Sequence, residues 1–404
     1  MCYVPLEEIS NISKLKICAL IFTGRKRDVA KIYLIRHCES EGNACRRTQA
    51  HVDSLVTHKG YQQNEMLRRR FKGIHLDAIY SSDSYRSVMT VAPIAKERGI
   101  PVQTRILLRE VTTGIWEDMA WGNIAKEYPE ENEAWSNTPW ALKTPGASSF
   151  QQVADRLIFG LKRIAKEIGE DGTAIVVSHS CTIKASLCTI LGKPMTEVKA
   201  LGHGDNTSVS LLDIDKDGNI TVEFMNDASH LPPHLQRAWG GVAGADVNMA
   251  VYACRLPEQK DDLLRLAAAD AEQRGEAFDA DSYYEEAVAL LEKNPAYIAL
   301  CALKGRICGY VRLGYDENLP YDCALVERMY VEPELQGKGY CEQLFGYAAY
   351  ISRYAGMEEI VLPKACSAEE QRVVDRFVFE NMKGLPEYVT LKLYCPPYGG
   401  HTLA

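Results

Sequence analysis

The sequence lacks the features that would place it in a membrane, in a disulfide-bonded scaffold or on a nucleic acid. None of its apolar runs approaches the roughly 18 residues that a membrane-spanning helix needs. Its 13 cysteines are an odd number and include no Cys-x-x-Cys pair, so neither a disulfide framework nor a zinc site is indicated. The net charge of −8 argues against a nucleic-acid or anionic-membrane partner. We therefore expect a cytoplasmic chain with reduced thiols and no bound metal.

Length and composition indicate two ordinary globular domains of unequal charge. With 25% charged and 46% hydrophobic residues, the 404 residues exceed what one domain usually holds. Residues 1–240 carry 30 Lys+Arg against 28 Asp+Glu, whereas residues 241–404 carry 16 against 26. Because the second half is strongly acidic, we expect the two halves to bind substrates of opposite charge.

Domain boundaries follow from local composition. Residues 1–30 are interpreted as a poorly ordered extension and are excluded from the fold. Residues 232–248 hold several prolines and glycines with little apolar periodicity, which is typical of a linker. We therefore predict one domain over 31–231 and a second over 249–404.

Both domains are predicted to be α/β, because short apolar strands alternate with amphipathic helices. In the first domain, strands are expected over 31–36, 77–81, 101–105, 173–178 and 207–214, and helices over 60–72, 84–98, 149–169 and 181–191. In the second, strands are expected over 249–256, 296–303, 306–314, 323–331, 358–362 and 387–394, and helices over 258–275, 281–293, 339–354 and 368–382. The first pattern indicates a mostly parallel sheet covered on both faces, whose functional sites lie at the carboxyl ends of strands.

The segment from Tyr33 to Asn43 is the most informative motif. An apolar strand ends at Arg36 and His37, and small and polar residues follow. Imidazole is a competent nucleophile near neutral pH, so a histidine fixed at a strand's carboxyl end can attack phosphorus. The adjacent arginine offers a planar fork for phosphoryl oxygens. The structural alternative is a strand that ends at a solvated loop, with His37 making an ordinary hydrogen bond.

Four further segments place polar residues at strand ends. They contain Arg86 just past a strand, Glu110 in a loop after a strand, His179 at a strand end and Asn206 at the start of the next strand. In this order the segments resemble the histidine phosphatase superfamily, which has the phosphoglycerate-mutase-like three-layer α/β fold. The resemblance covers residues 31–230.

This resemblance implies a role for each residue. His37 would be the nucleophile and form a phosphohistidine. Glu110 would protonate the leaving alkoxide and later deprotonate the attacking water; the structural alternative is a surface carboxylate paired with Arg109. The phosphate oxygens would be bound by four side chains, namely Arg36, Asn43, Arg86 and His179.

Three further features bear on the reaction and the pocket. The family usually has glycine after the nucleophile, and here the residue is Cys38, whose Cβ would narrow the pocket or turn the loop. Only 69 residues separate Glu110 from His179, and the resemblance implies a longer insertion there in bisphosphoglycerate-dependent mutases. A phosphatase is therefore expected, with a phosphoglycerate-type mutase as the alternative. Four of the five tryptophans fall in this segment; we predict a small helical cap, the alternative being the wall of a substrate pocket.

A glycine-rich turn in the second domain indicates different chemistry. It lies between an apolar strand and an amphipathic helix, where small residues let backbone N–H groups approach a pyrophosphate. The turn is similar to the Gln/Arg-x-x-Gly-x-Gly/Ala motif of the GNAT N-acetyltransferases, and the resemblance covers residues 249–394, with Cys341 as a compact last residue. It implies acetyl-CoA as the cofactor, bound through Val331, Gln336, Gly337, Lys338, Gly339, Tyr340 and Cys341.

The catalytic residues of this domain are less well defined. The family often removes the proton of the amine with a carboxylate on the strand before the turn, which Glu327 would supply. The alternative is an ion pair between Glu327 and a neighbouring arginine. Many members use a tyrosine on the last helix as an acid toward the thiolate, but the matching stretch 376–381 has phenylalanine, so no residue is assigned to that role.

The two motifs together predict a bifunctional enzyme, a phosphomonoesterase joined to an acetyl-CoA-dependent N-acetyltransferase. Its substrates would be a small-molecule phosphomonoester and a small-molecule amine, cationic because the second half is acidic. From a different class, the second domain would be a non-catalytic acyl-CoA sensor that regulates the phosphatase. The sequence leaves both substrates and the oligomeric state open.

Overall fold

The computed structural model of the protein describes residues 29–141, 143–202, 204–236 and 247–395. These residues form two α/β domains, each built around one mixed sheet. The first strand begins at Val29, so two residues assigned to the extension belong to the fold. The rest of that extension, and residues 237–246 of the predicted linker, lie outside the described residues. No helix within the described ranges is long and apolar enough to cross a membrane.

The first domain is a six-stranded sheet with helices on both faces. Its strands are β1 (Val29–Arg36), β2 (Ala78–Ser81), β3 (Val102–Thr104), β4 (Thr173–Ser178), β5 (Val209–Asp215) and β6 (Ile220–Asp227). Its helices are α1 (Glu41–Ala44), α2 (His58–Arg70), α3 (Tyr85–Arg98), α4 (Trp121–Glu127), α5 (Pro129–Asn137), α6 (Phe150–Ile168) and α7 (Ser180–Ile190). The strand order is β3-β2-β4-β1-β5-β6. The first four strands are parallel, and β5 and β6 are antiparallel to their neighbours.

Alternation along β1 divides the core of this domain in two. Ile32 and Leu34 pack in the cluster that contains the buried face of α6, and Ile35 packs on the other face with side chains of α2 and α3. A strand covered on both faces must be apolar throughout, which explains the continuous apolar run before Arg36. The carboxyl end of β1 is therefore the first point at which polar side chains can stand.

The edge strand β6 was not predicted. Its residues Ile220, Val222 and Phe224 are half-buried and alternate with exposed ones, which is the period-2 pattern of an edge strand with one face on the core. The signal was therefore present in the sequence.

The second domain is a seven-stranded sheet with helices packed on it. Its strands are β7 (Ala250–Ala253), β8 (Ile298–Leu303), β9 (Arg306–Gly314), β10 (Cys323–Val331), β11 (Glu359–Pro363), β12 (Glu380–Asn381) and β13 (Tyr388–Lys392). Its helices are α8 (Lys260–Arg274), α9 (Ala280–Lys293), α10 (Cys341–Tyr354) and α11 (Ala368–Arg376). The order is β12-β13-β11-β10-β9-β8-β7. Only the β10–β11 pair is parallel among these described strands.

The helix predicted over 368–382 is too long. It ends at Arg376, after which Phe377 takes an extended conformation and its ring packs 4.7 Å from that of Phe345. Residues 380–381 then pair with β13. Burial of the phenylalanine and the added strand pairing outweigh the helical pattern that the sequence suggested.

The two domains share core residues and an ion pair. Ala44 and Cys45 of the first domain belong to the main apolar cluster of the second. A Cβ built on Gly346 of α10 would lie 2.6 Å from the Cβ of Cys45, so this contact requires glycine. Beside it, Arg353 of α10 forms a bidentate ion pair with the buried Glu41 of α1. The segment that follows the candidate nucleophile is therefore held by the second domain.

Candidate active sites

The imidazole of His37 lies at the carboxyl end of β1, and one of its nitrogens is hydrogen-bonded to the backbone. Its Nδ1 lies 2.7 Å from the carbonyl oxygen of Cys38, which can only accept, so Nδ1 carries the proton and Nε2 holds the lone pair. Burial, and then the charges of Arg86 and Arg36, lower the pKa of His37 well below its usual 6.5. The side chain is therefore neutral, with Nε2 able to act as a nucleophile.

The second histidine lies on the same rim. His179 directly follows β4, and its ring centroid lies 5.1 Å from that of His37. Nδ1 of His179 accepts from Nη2 of Arg86 at 3.3 Å, so Nε2 carries the proton and donates to Oγ of Ser82 at 2.9 Å. Burial, followed by the charges of Arg86 and His37, lowers the pKa of His179 well below 6.5.

Arg86 is fully buried and binds the segment that covers it. Its Nη1 and Nη2 donate to the carbonyl oxygens of Val52 and Ala50, both at 3.1 Å. Its Nε has no hydrogen-bond partner among the described residues, and burying such a donor is costly unless a ligand satisfies it. A phosphoryl oxygen is a suitable partner because arginine binds phosphate through paired N–H groups.

Glu117 holds that covering segment and was missed by the sequence reasoning. Its Oε1 accepts from the amides of Ala50, His51 and Val52 at 2.8–2.9 Å. No local pattern marks this glutamate, since its partners lie more than 60 residues earlier in the chain. Asp53, in the same segment, lies 3.7 Å from Arg86.

Asn206 links the candidate phosphate ligand Asn43 to the backbone of His37. Its Nδ2 donates to the carbonyl oxygen of His37 at 2.9 Å and to Oδ1 of Asn43 at 3.2 Å. Nη1 of Arg36 donates to the carbonyl oxygen of Gly204 at 2.7 Å. Asn43 also accepts from the backbone of Ser40 at the start of α1. The structure thus brings Arg36 and Asn43 to the rim that holds His37.

Glu110 is buried at the N-terminus of α7, the helix that follows His179. Its Oε1 accepts from the amide of Thr182 at 2.9 Å, from the hydroxyl of Thr182 at 2.8 Å and from the amide of Val111 at 2.9 Å, and its Oε2 accepts from the amide of Cys181 at 3.1 Å. The alternative of a surface carboxylate is wrong, because Glu110 is buried. Nε of Arg109 donates to Asp83 at 2.8 Å.

The side chain of Cys38, the residue after the candidate nucleophile, is buried. It is buried in a cluster with Val56 and Tyr85, its amide donates to Oγ1 of Thr90 at 2.8 Å, and burial raises the pKa of its thiol to about 11. Its Cβ is therefore accommodated by packing behind the nucleophile, and the thiol stays protonated.

The tryptophans pack mainly on one another. Trp116 is fully buried, its ring centroid lies 6.4 Å from that of Trp121 and 6.3 Å from that of Trp135, and Trp121 and Trp135 are 5.6 Å apart. They join α4 and α5 to the loop before them, as a helical cap requires. Trp121 also lines a cavity between the domains.

The glycine-rich turn of the second domain has the backbone that an anion-binding loop needs. Gly337 and Gly339 have φ values of 72° and 82°, which favour residues without Cβ, and α10 begins directly after them. Gln336 Nε2 donates to the carbonyl oxygen of Val331 at 3.0 Å and fixes the loop to the end of β10. Tyr340 and Cys341 are buried below it. The loop therefore fits the pyrophosphate of an acyl-CoA.

A carboxylate of the chain occupies part of this loop. Both oxygens of the buried Glu369 on α11 lie 3.0 Å from the amide nitrogen of Gly337, and Arg372 pairs with Glu369 at 3.0 Å. An internal anion on the loop confirms its preference for negative charge, and a bound pyrophosphate would compete with it.

Glu327 forms the ion pair that was the structural alternative. Its Oε2 lies 2.7 Å from Nε of Arg312 on the neighbouring strand. Glu327 sits at a bulge of β10 and lies over Gly314, where a Cβ would approach its Oε1 to 1.8 Å. Burial raises the pKa of Glu327 while Arg312 opposes the shift.

One cavity touches both sites. It has a volume of about 320 Å³ and lies between Arg36 and Asn43 of the first domain and residues 337–339 of the second. The two candidate sites therefore face each other across the domain interface.

The two domains define an α/β chain with a histidine–arginine phosphoryl pocket and a glycine-rich anion loop. Sequence models of known families divide it in the same way. The histidine phosphatase superfamily (branch 1) matches residues 32–228, and the acetyltransferase (GNAT) family matches residues 261–376. Among solved structures, Bacillus stearothermophilus YhfR aligns with a TM-score of 0.48 at 28% sequence identity, covering 50% of this chain and 98% of that chain.

Curated relatives cover the first domain. Phosphoserine phosphatase 1 of Hydrogenobacter thermophilus is 29% identical over 203 residues, which are 50% of this chain and 95% of that protein. A probable phosphoglycerate mutase, GpmB, of Salmonella typhi is 31% identical over 209 residues, 50% of this chain and 94% of that protein. The chain therefore belongs to the histidine phosphatase superfamily and carries a GNAT-family acetyltransferase domain in the same polypeptide. Both predicted families and the predicted fold class are confirmed.

Proposed function

We propose that this chain is a bifunctional enzyme that hydrolyses a small-molecule phosphomonoester and transfers an acetyl group from acetyl-CoA to a small-molecule amine. The hydrolytic half is carried by one observation: Nδ1 of His37 is bound to the carbonyl of Cys38, so Nε2 faces the rim with its lone pair. The compact segment between Glu110 and His179 favours hydrolysis over mutase activity, although the two relatives named above are a phosphatase and a probable mutase.

Hydrolysis would proceed in two displacements. Nε2 of His37 attacks phosphorus, the N–P bond forms and the ester P–O bond breaks, while Arg36, Arg86 and His179 bind the equatorial oxygens. Water then attacks the phosphohistidine, the N–P bond breaks, and inorganic phosphate leaves. The first step is favoured by the lowered pKa of His37, because only the neutral imidazole is nucleophilic.

Glu110 would move the two protons through its Oε2. Oε1 accepts three hydrogen bonds, from Val111 and twice from Thr182, and Oε2 accepts from Cys181. A proton on Oε2 therefore leaves the three contacts of Oε1 in place. It passes to the leaving alkoxide in the first step and is regained from water in the second, so the carboxyl group ends as it began.

Covalent labelling tests this half directly. Full-length chain mixed with a ³²P-labelled phosphomonoester and quenched in base should carry an acid-labile, base-stable label, and His37→Ala should carry none and hydrolyse nothing. His75→Ala is the matched control, because His75 is exposed and contacts Asp77. Full activity in His37→Ala would refute the mechanism.

The acetyl-transfer half rests on the loop and the strand before it. Acetyl-CoA, when bound, supplies an acyl group activated as a thioester. The backbone amides of residues 337–341 would hold its pyrophosphate at the N-terminus of α10. Glu327 would accept the proton of a cationic amine, for which its half-buried position and raised pKa are suitable.

A non-catalytic acyl-CoA sensor is the second candidate for this domain. Two observations favour it, namely the ion pair of Glu327 with Arg312 and the contact of Glu369 with the loop. Release of free CoA thiol from acetyl-CoA, assayed with a panel of primary amines, separates the two. Amine-dependent thiol release that falls in Glu327→Gln supports transfer, and binding without any thiol release supports the sensor.

A further inference from the structure

The cavity between the domains is strongly cationic. Six basic side chains line it, four from the first domain and two from the second: Arg36, Arg46, Arg47, Lys59, Lys338 and Arg376. Two carboxylates, Glu39 and Glu342, also line it. This excess of positive charge is unexpected beside a second domain that is acidic overall.

Part of this charge is used in ion pairs, of which the pair between Arg376 and Glu39 joins the domains. Nη2 of Arg376 lies 2.7–2.8 Å from the two oxygens of Glu39, and Nε of Arg47 donates to Asp118 at 2.8 Å. Glu39 also accepts from Oγ1 of Thr57 at 2.8 Å. If the basic residues served only to form such pairs, the cavity wall would need about as many carboxylates as cations. It has two carboxylates and six cations.

Glu39 is shared by two of these cations, Arg376 and Lys59. Nζ of Lys59 is 3.8 Å from Glu39, and the residue is buried, so that burial and the charge of Arg376 lower its pKa while Glu39 opposes the shift. Nζ of Lys338 donates to the carbonyl oxygen of Glu334 at 2.7 Å, and Nε of Arg376 has no partner among the described residues. Crowded cations with unused donors are the arrangement that binds an anion.

The position of the cavity indicates which kind of anion it would bind. Its wall includes Arg36 and Asn43, the candidate phosphate ligands beside His37. A phosphoryl group held by them would direct the rest of its molecule into the cavity. A volume of about 320 Å³ is at the lower end of small-ligand pockets, which suits a tail of a few carbon atoms.

We propose that the acetyltransferase domain completes the substrate site of the phosphatase, with Lys338 and Arg376 binding a carboxylate or second phosphate on the part of the phosphomonoester that is not transferred. The proposal rests on the phosphatase activity proposed above. It defines the substrate class as phosphomonoesters with a second anionic group a few bonds from the phosphate.

Two matched substrates test the proposal on the full-length chain. 3-Phosphoglycerate and glycerol 3-phosphate differ only by a carboxylate in place of a hydroxymethyl group. The wild type should show a kcat/KM about 10- to 100-fold higher for 3-phosphoglycerate, as expected for hydrogen bonds to a charged group. Lys338→Ala and Arg376→Lys should each reduce this ratio by about tenfold, and Lys364→Ala, which removes an exposed lysine of the same domain outside the cavity, should keep it.

The outcomes are distinguishable. Equal kcat/KM values for the two substrates in the wild type would overturn the proposal, and if CoA then inhibits both reactions, the cavity belongs to the phosphates of CoA. A preference that survives both cavity variants would overturn the contribution of the second domain. Hydrolysis of p-nitrophenyl phosphate, measured in parallel, reports on the phosphatase activity itself. If the wild type does not hydrolyse it, that activity is refuted and the proposal with it.

Discussion

Replacement of Glu369 by glutamine should strengthen the binding of acetyl-CoA. In the structure both carboxylate oxygens of Glu369 lie 3.0 Å from the amide nitrogen of Gly337, in the loop where the pyrophosphate would bind. The pyrophosphate must displace this carboxylate or share the loop with it. A hydrogen bond to a charged group contributes about 1.5–3 kcal/mol, and glutamine keeps the size of the side chain while removing the charge that repels phosphate.

The magnitude follows from that contact. With about 1.4 kcal/mol for each tenfold change in Kd, loss of the competing charge should lower the Kd of acetyl-CoA by about 10- to 100-fold. The cost to the fold is smaller. Glu369 lies in the first turn of α11, where a negative charge contributes about 0.3–1 kcal/mol, and its partner Arg372 is mostly exposed, so that ion pair adds little.

Isothermal titration calorimetry of the full-length variant with acetyl-CoA is the assay. Asp375→Asn is the matched control, because Asp375 is an exposed carboxylate on the same helix that accepts from Gln371, and its Kd should equal that of the wild type. An unchanged or higher Kd for Glu369→Gln would show that the carboxylate belongs to the binding site, and the reasoning would fail.

Two further predictions concern the first domain. Glu110→Gln should slow hydrolysis of alkyl phosphates by about 10²–10⁴-fold and that of aryl phosphates less, because a good leaving group needs no proton; equal losses in stopped-time phosphate assays would indicate a structural role. The free energy of unfolding should fall as the pH drops below about 6.5. His37 and His179 have lowered pKa values in the folded chain, so they bind protons more readily when the chain is unfolded. Each histidine contributes about 1.4 kcal/mol for each unit by which its folded and unfolded pKa values differ. Urea titrations at several pH values should show this slope and a flatter one in His37→Asn, whereas identical slopes would contradict the assignment.

The phosphoryl pocket was largely predictable because its residues follow buried strands. A parallel strand covered on both faces must be apolar, so the first polar residues after β1 and β4 mark the functional edge of the sheet. His37 and His179 were placed on one rim by this reasoning, and they lie there. Glu117 was not predictable, since its role depends on a loop that folds back over Arg86 from a distant part of the chain.

The second domain shows a different limit. Its glycine-rich turn is a local feature and was found, but what lies against that turn is decided by packing of distant elements. Glu369 reaches Gly337 from α11, and Arg376 reaches Glu39 from the end of the same helix. Neither contact has a periodic or compositional signal in the sequence. The cavity between the domains was therefore beyond sequence reasoning, although several of its residues had been singled out for other reasons.

The burial of α1 within the second domain has a consequence for how the chain folds. Ala44 and Cys45 complete an apolar cluster whose other buried members lie between residues 249 and 393. In the opposite direction, Cys395 of the second domain packs against the cluster that contains Cys38. Cleavage between the domains would leave apolar surface on both products exposed to water, at a cost of about 25 cal/mol for each Å². We therefore expect the two domains to unfold in one cooperative transition. Calorimetric unfolding should consequently give a single peak, and a fragment that starts after residue 246 lacks part of its own core.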